Sequence, residues 1–154
     1  MAENTEQKLA DLGIDLPSPA APAANYIPYT IAGNILTISG QIPMGPNGPE
    51  YIAKLGDNAD VATGQAAARL CAINILAQAK VALGSLDKIK QVMKIQGFVN
   101  STPDFTDQPE VINGASDLLV EVLGDAGKHA RAAVGMASLP RGVAVEVDAV
   151  MEIE

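Results

Sequence analysis

The sequence predicts one α+β domain in which two helices cover one face of a single sheet. Two segments have the length and apolar spacing of helices, five shorter ones have the alternation of strands, and their order is β-β-α-β-α-β-β. Helices that follow strands at this spacing favour a sheet covered on one face. The length of 154 residues fits one domain, expected over residues 25–154 after an N-terminal extension over 1–24.

The N-terminal extension is expected to contain a short helix over residues 5–12, with Thr5 as the candidate N-cap. Residues 17–25 are rich in Pro and Ala and are expected to form an extended connection. The elements expected next are strands over 26–32 and 34–39, joined by the turn signal Gly33-Asn34, and a Gly/Pro-rich loop over 44–58.

The long helix is predicted over residues 60–83, where an apolar stripe runs up to Gly84, a natural helix stop. The elements expected after it are a strand over 89–99, a helix over 109–124, and two strands over 131–137 and 143–153 that pair as a hairpin. In the first of these strands, apolar Met93, Ile95, Gly97 and Val99 alternate with Lys94, Gln96 and Phe98. The face that carries Lys94, Gln96 and Phe98 is polar for a strand between helices, which suits contact with another subunit.

The charge and the few reactive residues exclude several classes of function. The net charge is −8, with 10 Lys+Arg against 18 Asp+Glu, so no nucleic-acid partner is expected. One Cys and one His cannot build a zinc site, and no nucleotide-binding motif is present, so neither a metal nor a cofactor is expected. Cys71 lies in a helical apolar pattern and is expected to be a buried structural residue.

A cytoplasmic location is the expectation for this chain, with no membrane partner. The sequence has no pair of cysteines for an internal disulfide, which fits a reducing compartment. Its N-terminus is polar and acidic, which is wrong for a secretory signal.

Arg131 and Glu146 are the residues that the pattern marks for chemistry. Arg131 opens a strand of small residues, where it is either a strand-end side chain reaching solvent or a bidentate anchor for a carboxylate. Glu146 interrupts an apolar strand, where it is either a solvated carboxylate or a general base. Asp148 shares its face and is an alternative for that role. His129 is expected in a solvated turn.

Three groups of residues resemble the RidA/YjgF family, which also carries the name L-PSP endoribonuclease. They are Ser39-Gly40-Gln41-Ile42-Pro43, then Gly97-Phe98-Val99 with Asp104-Phe105, and then Arg131 with Leu139-Pro140-Arg141-Gly142 and Val145-Glu146-Val147. The resemblance covers about residues 25 to 152. Gly114-Ala115-Ser116-Asp117 and Gly127-Lys128-His129-Ala130-Arg131 resemble a longer branch of about 150 residues.

The resemblance implies a chorismate-mutase-like fold and a homotrimer whose sheets form a central barrel with clefts between subunits. It implies that Arg131 holds the carboxylate of a 2-imino acid and that Glu146 positions the attacking water. The other positions that match the family's substrate-binding residues are Ser39, Gly40, Asn113 and either Tyr26 or Tyr29, with spacing favouring Tyr26.

One departure from the family pattern concerns position 133, which is often Cys in the deaminases and is Ala133 here, so that only backbone groups remain for substrate binding. The predicted function is hydrolysis of 2-imino acids to 2-keto acids and ammonia. The alternatives are a small-carboxylate or metabolite binder without turnover, an endoribonuclease, and a structural or chaperone-like trimer.

Overall fold

A computed structural model of the chain describes residues 4–19 and 25–154. Its helices are α1 (Thr5–Asp11), α2 (Val61–Leu83) and α3 (Gln108–Leu123). Its strands are β1 (Tyr29–Ala32), β2 (Ile35–Gln41), β3 (Met44–Gly45), β4 (Gly48–Pro49), β5 (Ile89–Asn100), β6 (Ala130–Met136) and β7 (Val145–Ile153). Short 3-10 turns occupy Leu86–Lys88, Gly124–Gly127 and Pro140–Gly142.

The main sheet has the strand order β1-β2-β7-β5-β6, in which β5 and β6 run parallel and the other neighbours are antiparallel. Helices α2 and α3 pack against each other and against one face of this sheet. The predicted α+β class and element order are therefore confirmed. The predicted loop over 44–58 contains the small hairpin β3–β4, which stands apart from the main sheet.

The core lies between the helices and the sheet, and the alternation of β7 sets it. The side chains buried from this strand are Val145, Val147, Ala149, Met151 and Ile153, as the sequence pattern predicts. The side chains between them, including Glu146 and Asp148, point to the face that no helix covers, where they are half-buried.

The bounds of α2 follow from its capping residues. The Asp60 carboxylate accepts a 2.8 Å hydrogen bond from the Thr63 amide, and Gly84 ends the helix at a φ of 79°. By length and composition alone α2 could cross a membrane. About half of it is buried in the domain, as expected for a core helix.

Three predictions about local structure are wrong. The strands β6 and β7 do not form a hairpin, because β5 lies between them and β6 is the edge strand. A bulge between Val92 and Lys94 buries Val92 and leaves Met93 45% exposed. The N-cap of α1 is Asn4, whose carboxamide accepts from the Gln7 amide, because Thr5 instead donates its amide and hydroxyl to Asp87.

The N-terminal helix packs onto the domain. Leu9 of α1 is buried in the core, and Lys80 of α2 pairs with Glu6. The expected extended connection over 17–25 lies largely outside the described residues, since residues 20–24 are not among them.

Candidate functional site

Arg131 lies on the edge strand β6, on the face of the sheet that the helices cover. Its neighbour in the parallel strand β5 is the fully buried Ile95, which fixes the direction of its side chain. The guanidinium reaches α3, where Nη1 donates to Asn113 Oδ1 at 2.8 Å and to Ser116 Oγ at 3.2 Å. Asn113 and Ser116 are three residues apart and so share one side of the helix.

His129 extends this group of side chains. Its Nε2 lies 2.9 Å from Ser116 Oγ, and its Nδ1 lies 2.6 Å from the carbonyl oxygen of Gly127. His129 directly precedes β6 and is half-buried. We call Asn113, Ser116, His129 and Arg131 the arginine group.

The positive charge of Arg131 has no acidic partner in the part of the chain that the structure describes. The four ion pairs there join other residues: Arg69 with Glu121, Lys80 with Glu6, Lys90 with Glu152, and Lys128 with Asp125. Within the same residues, both hydrogen bonds of the guanidinium come from Nη1, which leaves Nε and Nη2 available to a ligand. An exposed guanidinium with two available donors suits a carboxylate.

Glu146 lies next to Gly40, on the face of the sheet that the helices leave open. A Cβ added at Gly40 would lie 2.7 Å from Glu146 Oε2, so only glycine leaves the carboxylate its present position. Ser39 precedes this glycine at an irregularity between Ile38 and Gln41, where the register of β2 against β7 shifts. We call Ser39, Gly40 and Glu146 the glutamate group.

Burial and a like charge raise the pKa of Glu146 above its usual range. Burial of the carboxylate is the larger cause, and the nearby Asp148 is the second. The pKa of Asp148 is also raised by burial, although the Gln96 amide donates to its Oδ1 at 3.2 Å and opposes that shift. Glu146 is thus a stronger base than an ordinary glutamate, whereas the carboxylate of Asp148 already accepts a hydrogen bond from the Gln96 backbone amide.

The two groups lie on opposite faces of one sheet. Glu146 pairs with Phe98 of β5 on the open face, and Arg131 pairs with Ile95 of β5 on the helix-covered face. The structure therefore does not bring Arg131 and Glu146 together within one chain.

The other predicted site residues divide between these groups. Ala133 is half-buried, two residues after Arg131 on the same face of β6, and packs against the core. Tyr29 also packs against the core, whereas Tyr26 is 56% exposed, so Tyr26 has the ring that a ligand could contact. Cys71 is buried as predicted, and burial raises the pKa of its thiol well above the usual range.

Ser116 and His129 belong to the site, and the sequence reasoning missed both. A usable signal was present in their spacing: Ser116 is three residues after Asn113 on a helix, and His129 is two residues before Arg131 at a strand. The described residues contain no group of three or more His, Cys, Asp or Glu side chains that could hold a metal ion.

The family model described as "YjgF/chorismate mutase-like, putative endoribonuclease" matches residues 6–150. The chain belongs to this family. The match begins inside the segment predicted as an extension.

Solved structures agree with this membership. The chain is similar to Atu1372 from Agrobacterium tumefaciens, with a TM-score of 0.91 and 53% identity over 97% of this chain and 94% of that one. It is also similar to TdcF with bound serine from E. coli, with a TM-score of 0.63 and 26% identity over 89% and 94% of the two chains. For RidA from the Antarctic bacterium Psychrobacter, the TM-score is 0.59 and the identity 30%, over 86% and 94%.

Proposed function

We propose that this family member is a homotrimeric cytoplasmic imine deaminase, which hydrolyses 2-imino acids to 2-keto acids and ammonia in a cleft between subunits. The observation that carries the proposal is Arg131: its charge has no acidic partner among the described residues, and two neutral acceptors hold its Nη1. This arrangement favours a ligand that brings its own carboxylate. The serine bound to TdcF, a relative with the same fold, is a ligand of that kind.

The separation of the two groups supports an assembly of several copies, and the family resemblance gives that assembly its trimeric form. Since Arg131 and Glu146 face opposite sides of one sheet, one subunit supplies the arginine group and its neighbour supplies Ser39, Gly40 and Glu146. The open face of the sheet carries half-buried Phe98 and 42%-exposed Val134, apolar side chains that a second copy would cover.

The reaction needs positioning and one base. Arg131 binds the substrate carboxylate, which holds the imine carbon next to the neighbouring subunit's glutamate group. Glu146 takes a proton from water as the oxygen attacks the imine carbon, giving a tetrahedral carbinolamine. Glu146 returns that proton to the nitrogen, and the hydroxyl proton follows through the same carboxylate as the C–N bond breaks, so ammonia leaves and the 2-keto acid remains. The raised pKa of Glu146 supports this role, because it makes the carboxylate a better base near neutral pH.

A coupled assay tests the activity. A serine/threonine dehydratase releases the imino acid, and the rate of 2-keto acid formation is followed with and without this protein. We expect acceleration by the wild type, none by Arg131→Ala, and wild-type behaviour from Arg69→Ala, an arginine paired with Glu121 between the helices. Absence of acceleration across several imino acids would refute the deaminase proposal.

A mixing experiment tests the shared site. We expect Arg131→Ala and Glu146→Ala to be inactive alone, whereas subunits exchanged between them should form clefts that hold one intact arginine group and one intact glutamate group. Activity regained on mixing, with three times the chain mass by light scattering, is the expected result. No regained activity despite proven exchange would contradict a site between subunits.

Binding without turnover is the second candidate, and Ala133 favours it, since the thiol that many deaminases of the family carry at this position is missing. Calorimetric binding of a 2-keto acid that depends on Arg131, together with no imine hydrolysis, would identify this function. Cleavage of RNA, which the family description includes, is disfavoured by the net charge of −8. An RNA degradation assay with Arg131→Ala as the control decides that point.

A further inference from the structure

The hydrogen bonds that link Arg131 to Ser116, His129 and Gly127 form a chain in which each donor and acceptor can be assigned. Gly127 offers its carbonyl to His129 at 2.6 Å, and a carbonyl can only accept, so the neutral ring carries its proton on Nδ1. The ring then accepts at Nε2, which lies 2.9 Å from Ser116 Oγ, and the serine hydroxyl donates to it. The lone pairs of Ser116 Oγ therefore remain for Arg131 Nη1 at 3.2 Å.

The second acceptor changes what Arg131 can do. With Asn113 alone, the guanidinium could rotate about its single Nη1 hydrogen bond. Ser116 adds an acceptor in a second direction and so fixes the plane of the guanidinium. A free serine hydroxyl would itself rotate, and His129 removes that freedom by taking its proton.

None of the acceptors in this chain of hydrogen bonds carries a negative charge, and this matters for binding of a carboxylate. An acidic residue at position 116 would hold the guanidinium more strongly, but it would compete with an incoming carboxylate. Serine, histidine and a backbone carbonyl orient the guanidinium while its charge stays uncompensated. Lys128 and Asp125 lie in a nearby exposed turn, where their charges pair with each other and not with Arg131.

We propose that Ser116 and His129 are positioning residues of the carboxylate site, which fix the plane of the Arg131 guanidinium and so set its affinity for a small carboxylate. This inference rests on the proposed function of Arg131 as the carboxylate anchor. Neither residue is required to touch the ligand, and their effect on binding must act through Arg131.

The first experiment needs no ligand. His129 is the only histidine of the chain, so the ¹⁵N NMR spectrum of histidine-labelled protein reports it alone. For the neutral ring we expect the Nδ1–H tautomer. In arginine-labelled protein we expect slow rotation of the Arg131 Nη groups, which becomes faster in Ser116→Ala. The Nε2–H tautomer, or rotation that Ser116→Ala leaves unchanged, would overturn the proposal.

The second experiment is a double-mutant cycle on the affinity for pyruvate, measured by calorimetry. Without Ser116 the guanidinium must be ordered when pyruvate binds, and the lost freedom of one long side chain predicts that Ser116→Ala weakens binding about five-fold. The same change should have little effect in an Arg131→Lys background, where the planar guanidinium is missing. Ser116→Thr keeps the hydroxyl and should bind like the wild type, and so should Lys128→Gln, the control for charge beside His129.

The outcomes separate this inference from the proposed function. If Arg131→Ala leaves pyruvate binding unchanged, the anchor role of Arg131 fails, and this inference fails with it. If Arg131→Lys alone leaves it unchanged, a planar guanidinium is not needed and only the positioning role is overturned. If Arg131→Lys weakens binding but Ser116→Ala does not, or does so equally in both backgrounds, only the positioning role is overturned. Covalent labelling of Ser116 by an organophosphonate ester would likewise overturn it, since it would show a nucleophile activated by His129.

Discussion

Replacement of Gly114 by alanine tests how closely the two helices of the domain must pack. An added Cβ would lie 2.8 Å from the carbonyl carbon of Gln65 in α2 and closer still to its oxygen, whereas ordinary contacts of a Cβ begin at 3.4 Å. Helix propensity alone predicts that Gly→Ala stabilises α3 by about 1 kcal/mol. Overpacking against a backbone, which cannot turn away, costs about 3 kcal/mol.

The expected net result of Gly114→Ala is a loss of about 2 kcal/mol in the free energy of unfolding, which lowers Tm by about 4–8 °C for a chain of this size. Calorimetric melting and urea titration measure it. The carboxylate affinity should fall as well, because Asn113 and Ser116 move with α3. Gly33→Ala is the matched control: it places alanine at a φ of +59° with no atom within 4 Å, so it costs about 1 kcal/mol of backbone strain and leaves affinity unchanged. An unchanged or raised Tm for Gly114→Ala would refute the close approach of the helices.

Three further predictions concern the glutamate group and the first helix. Gly40→Ala should leave Tm within about 2 °C, because only a side-chain end must move, but should lower kcat/KM for imine hydrolysis about 100-fold by displacing Glu146. Glu146→Gln should abolish turnover but raise the free energy of unfolding by about 0.5 kcal/mol at pH 7. Because the folded-state pKa of Glu146 is raised, this gain is absent below the unfolded-state pKa and appears as pH rises through the folded-state pKa. Urea titrations at pH 7 and pH 4 measure the difference. Thr5 lowers the pKa of Asp87 by two hydrogen bonds, so Asp87→Asn should lower the free energy of unfolding by about 0.5 kcal/mol at pH 7, since solvent screens this exposed carboxylate. The effect should shrink as pH falls through the folded-state pKa, and an equal effect in urea titrations at pH 2 would contradict it.

The parts of the fold that could be predicted from sequence are those that local chemistry decides. The bounds of α2 agree with the prediction to one residue, because Asp60 caps the helix and Gly84 ends it. The burial of alternate residues in β7 follows from the period of a strand. The bulge at Val92–Lys94 could not be predicted, since it depends on the register of β5 against β7 and not on the sequence of β5 alone.

The sequence predicted which residues belong to the candidate site better than it predicted how they are arranged in space. Arg131, Glu146 and Asn113 were found from the pattern and the family resemblance, and the structure gives the contact between Asn113 and Arg131. The insertion of β5 between the last two strands is a long-range choice, and it is this choice that separates Arg131 from Glu146. His129 was missed because its spacing to Arg131, the one available signal, does not distinguish a histidine in a solvated turn from one that hydrogen-bonds to a helix.

The separation of Arg131 and Glu146 has a physical advantage for the proposed reaction. If the two side chains faced each other in one folded chain, they would form an ion pair, and a substrate would have to break it before binding. On opposite faces of the sheet, the guanidinium keeps an uncompensated charge, and the carboxylate keeps a raised pKa beside Asp148. Assembly would bring the two halves to a common cleft with the substrate between them. The same arrangement makes the site depend on assembly, so a variant held as a monomer should keep its fold but lose turnover, while full turnover by a monomer would contradict a shared site.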